Sequence, residues 1–132
     1  LDTIQASILL EKIKYFDDML IKRNNCAQYY TNNLKDCSNI ILPYNSMNIN
    51  AWAQYSILLP SLNDRDNVVK KLKNNAVNIA IFYPKPLYKQ KCFKQNNTDL
   101  SNTNNVCNNI LNLPCYADIT SDEQNYIINL LK

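Results

Sequence analysis

Along residues 1–42 the apolar positions Leu9, Ile13, Phe16, Leu20, Ala27, Tyr30 and Leu34 recur at three-, four- or seven-residue steps. That spacing lays them on one stripe of an α-helix. No Pro or Gly interrupts the segment, so a helix is expected from about residue 3 to 35, a rod roughly 50 Å long. A domain of this size does not need so long a rod. Ile4 and Ile8 form a second apolar strip at its front end. That strip is expected to stay exposed in the isolated chain and to belong against another domain. Asn24-Asn25 is the expected place for a bend or break.

Past the helix the period changes. Ile40, Ile41 and Leu42 run into Pro43 and read as a short edge strand, followed by a polar loop over 44–50. AWAQYSILL at 51–59 alternates, with Ala53, Tyr55, Ile57 and Leu59 on one face and Trp52, Gln54, Ser56 and Leu58 on the other. Pro60 stops that strand. Ser61 to Asp64 offers a helix N-cap, and Val68, Val69 and Leu72 supply an apolar stripe ending near Asn74-Asn75. VNIAIFY at 77–83 alternates again, with Val77, Ile79, Ile81 and Tyr83 on one side. Residues 95–105 are polar and Asn-rich, and are expected to be mobile. Val106, Ile110 and Leu111 suggest a short helix ended by Pro114. Thr120-Ser121-Asp122-Glu123 is a capping-box pattern ahead of the buried face Tyr126, Ile127, Leu130 and Leu131. The reading is a single α+β domain over 1–132, in which a long N-terminal helix joins a small antiparallel sheet with helices packed on one face.

Composition narrows the chemistry. The net charge of +3 is mild, and no recognised nucleic-acid module accompanies it. Lys70, Lys71 and Lys73 read as a solvated helix face. No apolar run approaches the ~20 residues of a membrane span, and the start has neither a basic n-region nor a cleavage-like site. It also lacks an initiating Met, as expected of a chain cut from something longer. There is no His, and the five cysteines contain no C-x-x-C pair, so a structural zinc or other metal site is not expected. Cys26, Cys37, Cys92, Cys107 and Cys115 read as reduced thiols in a cytoplasmic protein. Glycine is absent and Asn is abundant, so Asn is the expected occupant of positive-φ turns.

The segment YPKPLYKQ at 83–90 stands apart. Pro84 and Pro86 fix their own φ and push Tyr83 and Lys85 toward extended geometry, which excludes helix and holds the side chains at a set angle. Lys85 and Lys89 offer charge for a diphosphate. Tyr83 and Tyr88 offer aromatic faces and hydroxyls. The competing reading is that the tyrosines pack on the sheet and the lysines are solvated.

Four stretches in register, LDTIQASILLEKI at 1–13, AWAQYSILLP at 51–60, IFYPKPLYKQ at 81–90 and LPCYADITSDEQNYI at 113–127, resemble the C-terminal part of the DegT/DnrJ/EryC1/StrS family of sugar aminotransferases. The resemblance implies the small C-terminal domain of a fold-type I aminotransferase. Such enzymes depend on pyridoxal phosphate (PLP). They pass an amino group from glutamate or glutamine to a nucleotide-linked keto-sugar, for surface polysaccharides and other glycans. It also implies a homodimer with shared active sites, and a large domain that carries PLP and its Schiff-base lysine upstream of residues 2–9. On this reading the chain holds no catalytic and no cofactor-binding residue, binds no PLP itself and is inactive alone. Tyr83, Lys85, Tyr88 and Lys89 line the nucleotide-sugar site beside the cleft of the large domain. The sequence departs from the family pattern at Tyr88, where His is frequent, and at Asn74-Asn75-Ala76 and Asn78, where Gly is common. Two other readings stay open. One is a free-standing binding or assembly module from a split or decaying gene, and the other is an interaction domain with no sugar role.

Overall fold

The computed structural model describes residues 2–44, 50–93 and 100–132. Most of the polar loop expected at 44–50, and the front of the Asn-rich stretch expected at 95–105, lie outside these residues.

The first rod is interrupted. Helix α1 runs Thr3–Lys12, with Asp2 accepting from the Gln5 N–H as its N-cap. A 3-10 turn at Ile13–Tyr15 follows, and helix α2 runs Phe16–Leu34. The irregularity is at Tyr15 (φ −108°, ψ 4°), not at Asn24-Asn25. Asn24 continues the helix because its side chain finds other work. Its amide donates to Leu20 O and to Asn50 O at 2.8 and 2.7 Å, and its Oδ1 accepts from the Asn50 N–H and from Trp52 Nε1. With those bonds made, it does not compete for its own backbone.

Only the rear half of the apolar stripe is buried. Ala27, Tyr30 and Leu34 enter the core, whereas Leu9, Ile13 and Phe16 are exposed. Ile4 and Ile8 are 76% and 55% exposed, as expected for a strip without an internal partner.

The sheet is antiparallel, with strand β1 at Tyr55–Leu58 and strand β2 at Ile110–Leu113. Its register pairs Tyr55 with Leu113, Ser56 with Asn112, Ile57 with Leu111 and Leu58 with Ile110. One face, bearing Tyr55, Ile57, Leu111 and Leu113, meets the buried sides of α2, helix α3 (Leu62–Asn74) and helix α5 (Ser121–Leu131) in one core cluster. The opposite face carries Ser56, Asn112, Leu58 and Ile110. Isolated bridges extend the sheet on both flanks, Ile41 to Leu58 and Ala80 to Asn112. Ile41 faces outward while Ile40 is buried, which is the alternation of an edge strand.

Three local expectations are corrected. The segment 77–83 is not a strand among the described residues. Ala80 pairs with Asn112 through both backbone groups, but the next donor, Phe82 N, turns to the Asn112 side chain and leaves the ladder. Residues 106–111 are not one helix. Helix α4 (Ser101–Asn109) stops where Ile110 turns extended (φ −72°, ψ 139°), and ILNL continues as β2. Trp52 is not on an outward strand face. At φ 42° it leaves strand geometry, and its ring tilts onto Tyr55 with centroids 5.6 Å apart.

The caps were legible. Ser61 accepts from the Asp64 N–H at the start of α3, and Thr120 and Glu123 form the reciprocal capping box of α5. The positive φ at the end of α3 falls on Ala76 (φ 58°), where Asn was expected to serve.

Candidate functional site

The proline segment is held at three points. Its entry is set by β2: Ala80 exchanges backbone hydrogen bonds with Asn112, and Phe82 N donates to Asn112 Oδ1 at 3.0 Å. The Asn112 side chain is fixed in turn, its Nδ2 donating to Ser56 Oγ at 2.6 Å and to Gln54 Oε1 at 3.2 Å. Asn112 is only 3% exposed, so both ends of its amide are satisfied where water is scarce. In the middle, Pro86 is buried. At the exit the hydroxyl of Tyr88 donates to Asn104 Oδ1 on α4 at 2.7 Å.

Between these anchors the chain is extended at Pro86 (φ −55°, ψ 145°) and then makes a 3-10 turn over Leu87–Lys89. The prolines therefore exclude α-helix, but they admit a single 3-10 turn once Pro86 has passed. Tyr83 is 71% exposed, and its ring lies 5.5 Å from that of Phe82. Lys85 is exposed. Tyr88 is half-buried, with the Lys89 Nζ 5.5 Å from its ring centroid, within cation–π range. The four expected residues thus share one short segment but not one role. Tyr83 and Lys85 present exposed side chains, whereas Tyr88 has committed its hydroxyl to Asn104 and a ring face to Lys89. Between Ile79 and Phe93 there are three lysines and no carboxylate, so the segment is a local positive ridge.

The residues that set this geometry were not found from sequence. Asn112 left one signal, a lone amide within the apolar run ILNLP. Asn104 left none, lying among many similar asparagines. A second set ties the strand entry to α2. Arg23 Nη1 donates to Trp52 O at 2.9 Å and to Cys115 O at 3.1 Å. Tyr83, Pro84, Lys85, Leu87 and Lys89 of the segment are all exposed. Two clefts lie elsewhere: ≈ 500 Å³ lined by Ala76, Val77, Tyr116, Glu123 and Tyr126 among others, and ≈ 470 Å³ lined by Asn24, Thr31, Tyr44 and Trp52 among others. A ligand on the ridge needs a second wall to be enclosed.

Aldimine formation needs a sheltered amine, and every described lysine is exposed. Lys22 is also held protonated, its pKa raised by the hydrogen bond and charge of Asp18 at 2.9 Å. No group of three or more potential metal ligands occurs among the described residues.

Comparison with known proteins places this arrangement. The model of the DegT/DnrJ/EryC1/StrS aminotransferase family matches residues 1–132. The chain is 32% identical over 124 residues to the UDP-2-acetamido-2-deoxy-3-oxo-D-glucuronate aminotransferase of Pseudomonas aeruginosa, covering 92% of this chain and 33% of that protein. It is 27% identical over 135 residues to the dTDP-4-amino-4,6-dideoxy-D-glucose transaminase of Shigella dysenteriae, covering 98% of this chain and 36% of that one. Among solved structures, a DegT DnrJ EryC1 StrS aminotransferase from Brucella abortus superposes with a TM-score of 0.88 at 31% identity, over 99% of this chain and 35% of its own. Bacillus subtilis NtdA with bound cofactor PMP gives 0.88 at 27%, over 99% of this chain and 32% of its own. The chain spans about a third of the length of the relatives it matches. Its helix–sheet architecture, its end-to-end agreement with the family model and its similarity to these structures give one conclusion: the chain belongs to the DegT/DnrJ/EryC1/StrS aminotransferase family.

Proposed function

We propose that residues 1–132 are the small C-terminal domain of a PLP-dependent sugar aminotransferase, and that YPKPLYKQ contributes one wall of its nucleotide-sugar site. The observation that carries the reading is the match of the whole segment to one-third of enzymes that act on UDP- and dTDP-linked sugars. The large domain, on another part of the protein, supplies PLP, the Schiff-base lysine and the second wall. The protein works in the cytoplasm as a homodimer, in the synthesis of surface polysaccharide or another glycan. Glutamate or glutamine is the amino donor and a nucleotide-linked keto-sugar the acceptor.

Within that site this chain binds and orients. Lys85, and secondarily Lys89, face the diphosphate as flexible point charges. Tyr83 offers its exposed ring and hydroxyl to the sugar or base. Tyr88 acts as a positioning residue through Asn104, and the sheet-anchored entry at Asn112 keeps the ridge ordered before substrate arrives. Such pre-ordering lowers the entropy lost on binding. Without the large domain the segment is inactive and forms no aldimine.

The test is transamination by the whole protein that carries this segment. Given glutamate and a UDP- or dTDP-linked keto-sugar, it should release 2-oxoglutarate and an amino-sugar nucleotide. A whole protein that binds no sugar nucleotide and forms no 2-oxoglutarate would overturn the proposal. It would favour the reading of an assembly module without catalysis.

A further inference from the structure

Helix α4 has little of its own to hold it in place. Five of its nine residues are Asn, a poor helix former. Leu100 at its N-cap makes no side-chain cap, Asn109 is its buried residue, and Val106 is 40% exposed. Polar contacts pin its C-terminal end instead. Leu59 N donates to Asn109 O at 3.0 Å, and Asn109 Nδ2 reaches back one turn to Asn105 Oδ1 at 2.9 Å. A third contact is charged. Arg65 on α3, only 7% exposed, donates through Nη1 to Cys107 O at 3.3 Å and through Nε to Asp66 Oδ1 at 2.9 Å. A guanidinium at a carbonyl left open by the end of a helix has the sign that the helix dipole favours. One turn earlier on α4, Asn104 accepts from the Tyr88 hydroxyl at 2.7 Å.

We infer that Arg65 is a positioning residue for the nucleotide-sugar wall and acts through α4: it fixes the last turn of that helix, and the helix presents Asn104 to Tyr88. The inference rests on the reading of 83–90 as one wall of that site, and adds to it a residue on α3, some twenty positions before the ridge.

The consequences of losing the guanidinium fall unevenly. Asp66 is half-exposed, so water replaces its partner. Cys107 O loses a charged donor, and a weakly built helix loses its charged clamp. The core is held by other groups: Leu72 of α3 packs with Tyr55, Ile57, Leu111 and Leu113 in the apolar cluster. α4 therefore loosens before the sheet does. Asn104 then no longer fixes Tyr88, and the ridge keeps only its anchors at Asn112 and Pro86. The substrate must order the ridge as it binds, which weakens binding and leaves the chemistry alone.

The experiment is a double-mutant cycle in the whole protein, with Arg65→Met and Asn104→Ala made singly and together. KM for a UDP- or dTDP-linked keto-sugar is measured apart from the glutamate half-reaction. Each single variant should raise that KM by about threefold to tenfold and leave the glutamate half-reaction unchanged. The double variant should be no worse than Arg65→Met, because both changes act through one contact. Arg65→Lys, which keeps the charge, should recover part of the loss. Without substrate, amide exchange in Arg65→Met should quicken through 101–109 and 83–90 while the β1–β2 amides keep their protection. If Arg65→Met folds poorly, Arg65→Lys with Asn104→Ala carries the same comparison. Additive effects in the cycle overturn the inference, as does an unchanged KM in variants of a parent that turns over the sugar nucleotide. A parent that binds no sugar nucleotide fails the reading of the wall itself, and the inference with it.

Discussion

Replacing Asn112 with Ala would test how the proline ridge is held. The substitution removes the acceptor of Phe82 N–H and the donor to Ser56 Oγ and Gln54 Oε1. It leaves the backbone exchange with Ala80 and the pairing with Ser56 intact. The three bonds are not equal. Gln54 is exposed, so water replaces its partner at little cost, and the Ser56 hydroxyl is half-exposed and can rotate. The Phe82 N–H loses a well-aligned acceptor beside a buried position. At a net ~1 kcal/mol per ordinary bond and ~1–3 for a donor left unpaired, the loss comes to about 2 kcal/mol. Urea unfolding should show that loss with an unchanged m-value. Amide exchange should locate it, with protection falling at Phe82 and through 83–90 while the β1–β2 amides keep theirs. Unchanged exchange at Phe82, with a stability change below about 0.3 kcal/mol, would refute the idea that this side chain anchors the ridge.

Ala76→Gly should stabilise the protein by about 0.5–1 kcal/mol, because relief of a Cβ-bearing residue at φ 58° exceeds the added freedom of glycine in the unfolded chain. A rise in urea midpoint checks it, and a fall contradicts it. Tyr30 and Tyr55 predict an alkaline limit. Burial raises both phenols above their usual value near 10, so the native state keeps protons that the unfolded chain releases. Their contribution is intact below that value and declines as pH rises through it, by up to about 1.4 kcal/mol per pH unit for each group. Unfolding midpoints measured from pH 8 to 11 should be level and then fall, and a level profile to pH 11 would contradict the burial argument. Ile4→Glu with Ile8→Glu should reduce self-association of the isolated segment in sedimentation velocity, since both side chains sit on an uncovered strip. An unchanged distribution would show that the strip is not sticky.

The elements legible in the sequence were those where one local rule sufficed. Alternation located Tyr55, Ile57 and Leu59 on the core face, and capping chemistry located Ser61 and Thr120–Glu123. The errors came where a short apolar run satisfied two rules at once. ILNL at 110–113 and IAIF at 79–82 have similar patterns, yet the first pairs with Tyr55–Leu58 over its length and the second at one residue. The choice was made by distant partners, Asn112 above all. The same applies to the stripe on the first rod. Its spacing was right, but burial stops near the middle of α2 because the other described residues do not reach the front. For the candidate site, the backbone restriction by Pro84 and Pro86 could be read from the residues. The separate fates of Tyr83 and Tyr88 could not, since they depend on Asn104 sixteen positions away.

The central claim is that the ridge binds the sugar nucleotide without taking part in the chemistry. It is tested most directly by Lys85→Ala and Tyr88→Phe in the whole protein, with the two half-reactions measured separately. The account predicts a higher KM for the sugar nucleotide in both variants, larger for Lys85→Ala and diminished by added salt, with the glutamate half-reaction unchanged. If both variants bind the sugar nucleotide as tightly as the parent, or if the glutamate half-reaction slows equally, the ridge is scaffold and the assignment of Tyr83, Lys85, Tyr88 and Lys89 is wrong.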